Sequence, residues 1–118
     1  MTSLKGARAD LAASIVTAVS ALPSSVAVFA FEPPTLGGNA VTVSTAGVTP
    51  DSWRLAVRIY CPAIQSAEGQ DLCDDIVQAI DTSTVLRRVP RSDWTLSYDE
   101  TKDVFFYETV AEFPREDF

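Results

Sequence analysis

The stretch Ser52-Trp53-Arg54-Leu55-Ala56-Val57-Arg58-Ile59-Tyr60-Cys61-Pro62 decides the fold. Trp53, Leu55, Val57, Ile59 and Cys61 fall on one side of an extended chain, and Arg54, Ala56, Arg58 and Tyr60 fall on the other. A two-residue period places successive side chains on opposite faces, so the segment reads as a half-buried strand of an antiparallel sheet. Pro62 lacks the N–H that a ladder needs and ends it.

Upstream, Val41 and Val43 alternate with Thr42 and Ser44 in another strand, and Gly47-Val48-Thr49-Pro50-Asp51 turns the chain between the two. Residues 26–31 are β-branched and aromatic residues alternating with alanine, a first strand covered on both faces. Between these strands, Glu32-Pro33-Pro34-Thr35-Leu36-Gly37-Gly38-Asn39 cannot extend a sheet, because two prolines remove donors and two glycines admit positive φ. A projecting loop is expected there. At the start of the chain, Leu4, Leu11, Ile15, Val19 and Leu22 recur at helical spacing opposite Asp10, Ser14, Thr17 and Ser20, and Pro23, Ser24 and Ser25 break the pattern. Lys5 and Arg8 ahead of the apolar run imitate a secretory signal, but such a segment has no need of two faces. The amphipathic-helix reading, and with it synthesis in a cytoplasm, is adopted, and no segment reaches the ~18 unbroken apolar residues that span a bilayer.

Downstream, Ser66 offers an N-cap to a second helix running to about Ile80. Its apolar face is Leu72, Cys73, Ile76, Val77 and Ile80; its wet face is Glu68, Asp71, Asp74, Asp75 and Asp81. Residues 82–91, with Arg87, Arg88, Pro90 and Arg91, read as a polar connection. A fourth strand has Trp94, Leu96 and Tyr98 facing in and Asp93, Thr95, Ser97 and Asp99 facing out, and a turn at Asp99-Glu100-Thr101-Lys102 leads into a fifth over residues 104–113. There the aromatics Phe105, Phe106 and Tyr107 are consecutive, so both faces meet apolar partners. The order is α-β-β-β-α-β-β. Two helices cannot cover both faces of five strands, which predicts one α+β domain over residues 1–118: a two-layer sandwich with a mostly antiparallel sheet and both helices on one face. The other face, with Arg54, Arg58, Tyr60 and one side of the 105–107 stretch, has the mixed character of a contact surface.

The chain has 118 residues, nine Lys and Arg against 16 Asp and Glu, a net charge of −7, and no histidine. Lack of histidine removes the commonest general base and the commonest zinc ligand, and argues against an enzyme. Asp74 and Asp75 are neighbours in a helix, so their side chains diverge by about 100° and cannot flank one bond. The Asp71 to Asp75 cluster lacks calcium-loop spacing, and Gly37-Gly38 lacks the lysine of a phosphate cradle. Two cysteines, Cys61 and Cys73, are both expected to point inward as buried free thiols, with a disulfide reserved for a secreted chain. The acidic excess argues against a dedicated nucleic-acid binder, and it is uneven: residues 93–118 hold two bases and eight acids.

Taken together, a helix ending in Ala21-Leu22-Pro23, a strand running into a Pro-Pro loop, the strand from Ser52 to Pro62, an Ala/Asp-rich helix and a final aromatic strand resemble the tail terminator proteins of long-tailed, siphovirus-type bacteriophages, in particular those infecting actinobacteria. The resemblance covers nearly the whole chain and rests on element order and texture. It implies a structural virion protein without catalytic residues, metal or cofactor. Such a protein forms a ring, a hexamer in that family, that caps the tail tube, stops its polymerisation and joins the tail to the head connector, near the neck of the virion. Its partners are further copies of itself, the tail tube protein and the connector, while DNA passes through without specific binding. Contacts are expected in residues 32–39, 87–91 and 112–118, and at Pro33, Pro34, Leu36, Arg54, Arg58, Tyr60, Arg87, Arg88, Arg91, Phe105 and Tyr107. Two alternatives stand beside it: another head-to-tail joining or tail tube protein, and a small ligand-binding or enzymatic α+β domain.

Overall fold

The computed structural model describes residues 3–22, 25–36, 38–61, 66–83, 86 and 89–115. The expected breaks at Pro23 and Pro62, the glycine at Gly37, the arginines Arg87 and Arg88 and residues 116–118 lie outside them. Two helices, α1 (Leu4–Val19) and α2 (Ala67–Asp81), and five strands follow the order α-β-β-β-α-β-β, as the sequence predicts: β1 (Ala27–Phe29), β2 (Ala40–Val48), β3 (Ser52–Tyr60), β4 (Thr95–Asp99) and β5 (Val104–Pro114). They form one sheet in the spatial order β1-β2-β3-β5-β4. Only the β1–β2 pair is parallel; the other three are antiparallel.

Strand β3 is central, and its period of two becomes burial on both sides. Leu55, Val57, Ile59 and Cys61 join Val41 and Val43 of β2 and Ala111 of β5 under Leu11, Ala12, Ile15 and Val19 of α1 and Cys73, Ile76 and Ile80 of α2. Both helices thus lie on one face. Each begins at a serine whose hydroxyl accepts an N–H from the first turn, Ser3 from Gly6 and Ser66 from Gly69, both at 3.0 Å. This satisfies a donor that the helix itself cannot, and an N-cap of this kind is worth about 1 kcal/mol. Cys61 and Cys73 are free, buried neighbours in this core. A hydrogen bond from the Cys73 thiol pulls the Cys61 pKa down, while the same bond, with burial, pushes Cys73 up.

Four local expectations are corrected. Strand β2 does not stop before Gly47: an irregularity between Thr45 and Gly47 lets the pairing continue, Gly47 opposite Arg54 and Val48 opposite Trp53. The turn falls later, where the Thr49 hydroxyl accepts from the Ser52 N–H at 2.9 Å. Strand β1 is only three residues, because the chain leaves the sheet after Phe29. The 82–91 connection is not wholly polar, since Leu86 is buried in the core. Trp94 does face the helix layer, its indole N–H donating to Asp81 at 2.8 Å. Leu96 and Tyr98 share that side but are 52 % and 42 % exposed, because both helices stop short of the β4 edge.

Candidate functional site

The face opposite the helices carries the densest polar cluster, and the register of the sheet builds it. Arg58 stands directly opposite Glu108 across the β3–β5 pair, and Tyr60 opposite Phe106. The Arg58 Nε–H donates to Glu108 at 2.6 Å, one Nη donates to the Tyr60 hydroxyl at 3.3 Å, and the guanidinium lies 4.7 Å from the centre of the Phe106 ring. Tyr60 then donates to Glu32 at 2.8 Å, and Thr42 of β2 donates to the other carboxylate oxygen of Glu32. From the β4–β5 turn, Lys102 reaches Glu32 at 3.2 Å and Asp99 at 3.4 Å, and sits 5.3 Å from the centre of the Tyr60 ring. One carboxylate, Glu32, therefore ties together β2, β3 and the β4–β5 turn.

Glu32 can do this because the segment after β1 does not project, as the sequence reading expected, but folds back over the sheet. A parallel β1–β2 pair requires the chain to return to the starting end of the sheet before β2 begins. It returns across the face, with Pro33 buried. Tyr60 and Thr42 are thereby sealed at 0 % exposure. Between Pro34, Thr35 and Leu36 on one side and residues 101–104 on the other lies an open cavity of about 350 Å³.

The electrostatics follow from that cover. Burial raises the Tyr60 pKa by disfavouring the phenolate, with Glu32 adding to the effect and Arg58 opposing it. Burial alone would lower Lys102 and Arg58, yet both are raised, Lys102 by Glu32 and Arg58 by Tyr60 and Glu108. Asp99 is held below its ordinary value, chiefly by the Lys102 backbone N–H.

Of the residues singled out in the sequence, the structure brings Arg58 and Tyr60 into this cluster, puts Pro33 over it, and sets Pro34 and Leu36 at the cavity. Arg54 is on the same face, exposed, opposite Glu112. Phe105 and Tyr107 turn the other way, towards the helix layer, where Tyr107 accepts from Gln70 at 3.4 Å; the aromatic on the cluster face is Phe106. Arg91 pairs with Asp81 at 2.7 Å and bridges to Ala111. The sequence reading placed Glu32 at the start of a contact loop without naming its partners, and missed Thr42, Lys102 and Glu108. Strand alternation would have put Thr42 on the Arg58 face, but nothing local pairs Glu32 with Tyr60, 28 residues away.

Among the described residues, no group of three or more Cys, Asp or Glu side chains is placed to hold a metal ion, and no helix is long and apolar enough to cross a membrane. Compared with protein-family models and with curated proteins, the chain matches none.

Proposed function

We propose that the chain is a structural subunit of a phage virion: a tail-terminator-type protein that closes into a ring, hexameric by the resemblance, on the end of the tail tube, stops its growth and presents a surface to the head connector. The observation that carries this reading is the element order α-β-β-β-α-β-β in a small α+β fold, the order on which the resemblance rests. The cross-braced opposite face supports it. Glu32, Tyr60, Lys102, Arg58 and Glu108 neutralise one another in place and hold a stiff platform, which suits a part that must keep its shape under assembly. The acidic excess suits a passage for DNA, since an acidic wall does not retain phosphate.

The test is electron microscopy of the purified chain mixed with tail tubes of the phage that encodes it. One ring at one tube end, with tube growth halted, is the expected result. Indefinite polymerisation instead identifies a tube subunit, and a monomer that ignores the tubes overturns the reading.

A further inference from the structure

The chain has two cysteines, and the fold brings them together from separate elements. Cys61 is the last inward residue of the β3 face, one position past the strand's end at Tyr60. Cys73 lies in the second turn of α2, on the buried stripe that continues through Ile76 and Ile80. Both are 0 % exposed, both belong to the same core cluster, and their thiols hydrogen-bond to each other, so the two sulfurs are in contact. Valine or leucine would fill either place as well by apolar area; two touching thiols add a chemistry that aliphatic side chains lack. Elsewhere α2 is tied to the sheet side by Gln70 on Tyr107 and by Asp81 on Trp94 and Arg91. The cysteine pair is where it meets the central strand with groups able to bond covalently.

We propose that Cys61 and Cys73 are a disulfide-forming pair, which thiol–disulfide exchange with a small disulfide such as oxidised glutathione links without rearranging the core. Exchange begins at Cys61, because strand ends open more readily than helix interiors and because the hydrogen bond from Cys73 holds the Cys61 thiol below its ordinary value. The Cys61 thiolate attacks one sulfur of the glutathione disulfide; that S–S bond breaks and one glutathione leaves as its thiolate. Cys73 is held above its ordinary value, first by the same hydrogen bond and then by burial. Bonding Cys61 to glutathione removes the thiolate to which Cys73 donates, so Cys73 gives up its proton more easily. Its thiolate attacks the Cys61 Sγ, forms the Cys61–Cys73 bond and expels the second glutathione. The two cysteine protons end on the two glutathione thiols: a pair of thiols is oxidised and one disulfide is reduced. A reducing cytoplasm keeps the pair as thiols, and an oxidising medium favours the link between β3 and α2.

The test is the equilibrium constant for exchange between the whole chain and glutathione, measured in buffer and in urea and approached from reduced and from oxidised protein. Mass spectrometry after alkylation counts the free thiols. A pair aligned by the fold should give a constant about 100-fold larger in buffer than in urea, the size that a disulfide fitting its native geometry contributes. The folded product should lack two hydrogens, carry no glutathione and keep the circular dichroism of the reduced chain. Cys73→Ala should stop at a glutathione adduct on Cys61; if that variant does not fold, the wild-type ratio alone decides. A constant no larger in buffer than in urea overturns the proposal. So does a folded chain that fails to oxidise, that retains glutathione or that links to a second copy, and so does a folded Cys73→Ala that takes up no glutathione.

Discussion

Glu32 accepts hydrogen bonds from Thr42, Tyr60 and Lys102, and two of those donors are sealed from water. Removing the acceptor strands buried hydroxyls, a loss of about 1–3 kcal/mol per unpaired group. Glu32→Ala should therefore lower the urea midpoint and open residues 30–36 to limited proteolysis, while Glu32→Gln, which keeps one acceptor oxygen, should lose less. Tyr60 gives a second test. Its folded pKa is raised, so the neutral phenol is the form the fold favours. The stability it contributes is fully present below the unfolded value of about 10 and is lost as pH rises through the folded value. Lys102, also raised, behaves the same way. An ultraviolet titration should show one tyrosine ionising late, with loss of stability in the same alkaline window, and Tyr60→Phe should abolish that late phase.

At the scale of elements, local rules go a long way. Ser66 at the N-cap, an acidic first turn and apolar residues at helical spacing mark α2 within its own segment. Ser66→Ala should cost about 1 kcal/mol in denaturant unfolding, with the fold retained. The strand edges were less legible. Gly47 looked like a turn residue but is absorbed by the irregularity after Thr45 and pairs with Arg54, whose side-chain stem lies beside it. The 102–104 corner shows the reverse: Asp103 takes φ 53°, a left-handed conformation that aspartate tolerates better than most residues. Period alone put Leu96 and Tyr98 on the inner side correctly, yet could not say that the helix layer would end before reaching them.

For the whole molecule, charge makes a prediction. The ring reading asks the chain to let DNA pass, so wild-type protein should show no retention of duplex DNA in a low-salt filter assay. Replacing exposed acids, Glu100→Lys with Glu112→Lys, should introduce weak binding that vanishes as salt rises. The element order, the Ser66 cap of α2, the inward face of β3 and the buried free thiols were legible in the chain, because each depends on neighbours within a few residues and on apolar spacing. The polar cluster was not. Arg58 meets Glu108, 50 residues on, and Glu32 meets Lys102, 70 residues on, only because the sheet order places β5 beside β3 and a parallel β1–β2 pair sends residues 30–36 back over the face. Periodicity determines which side of an element is apolar. Which elements become neighbours, and hence which charges pair and which edges stay bare, is decided by how the whole sheet closes its hydrogen bonds and buries its apolar face at once.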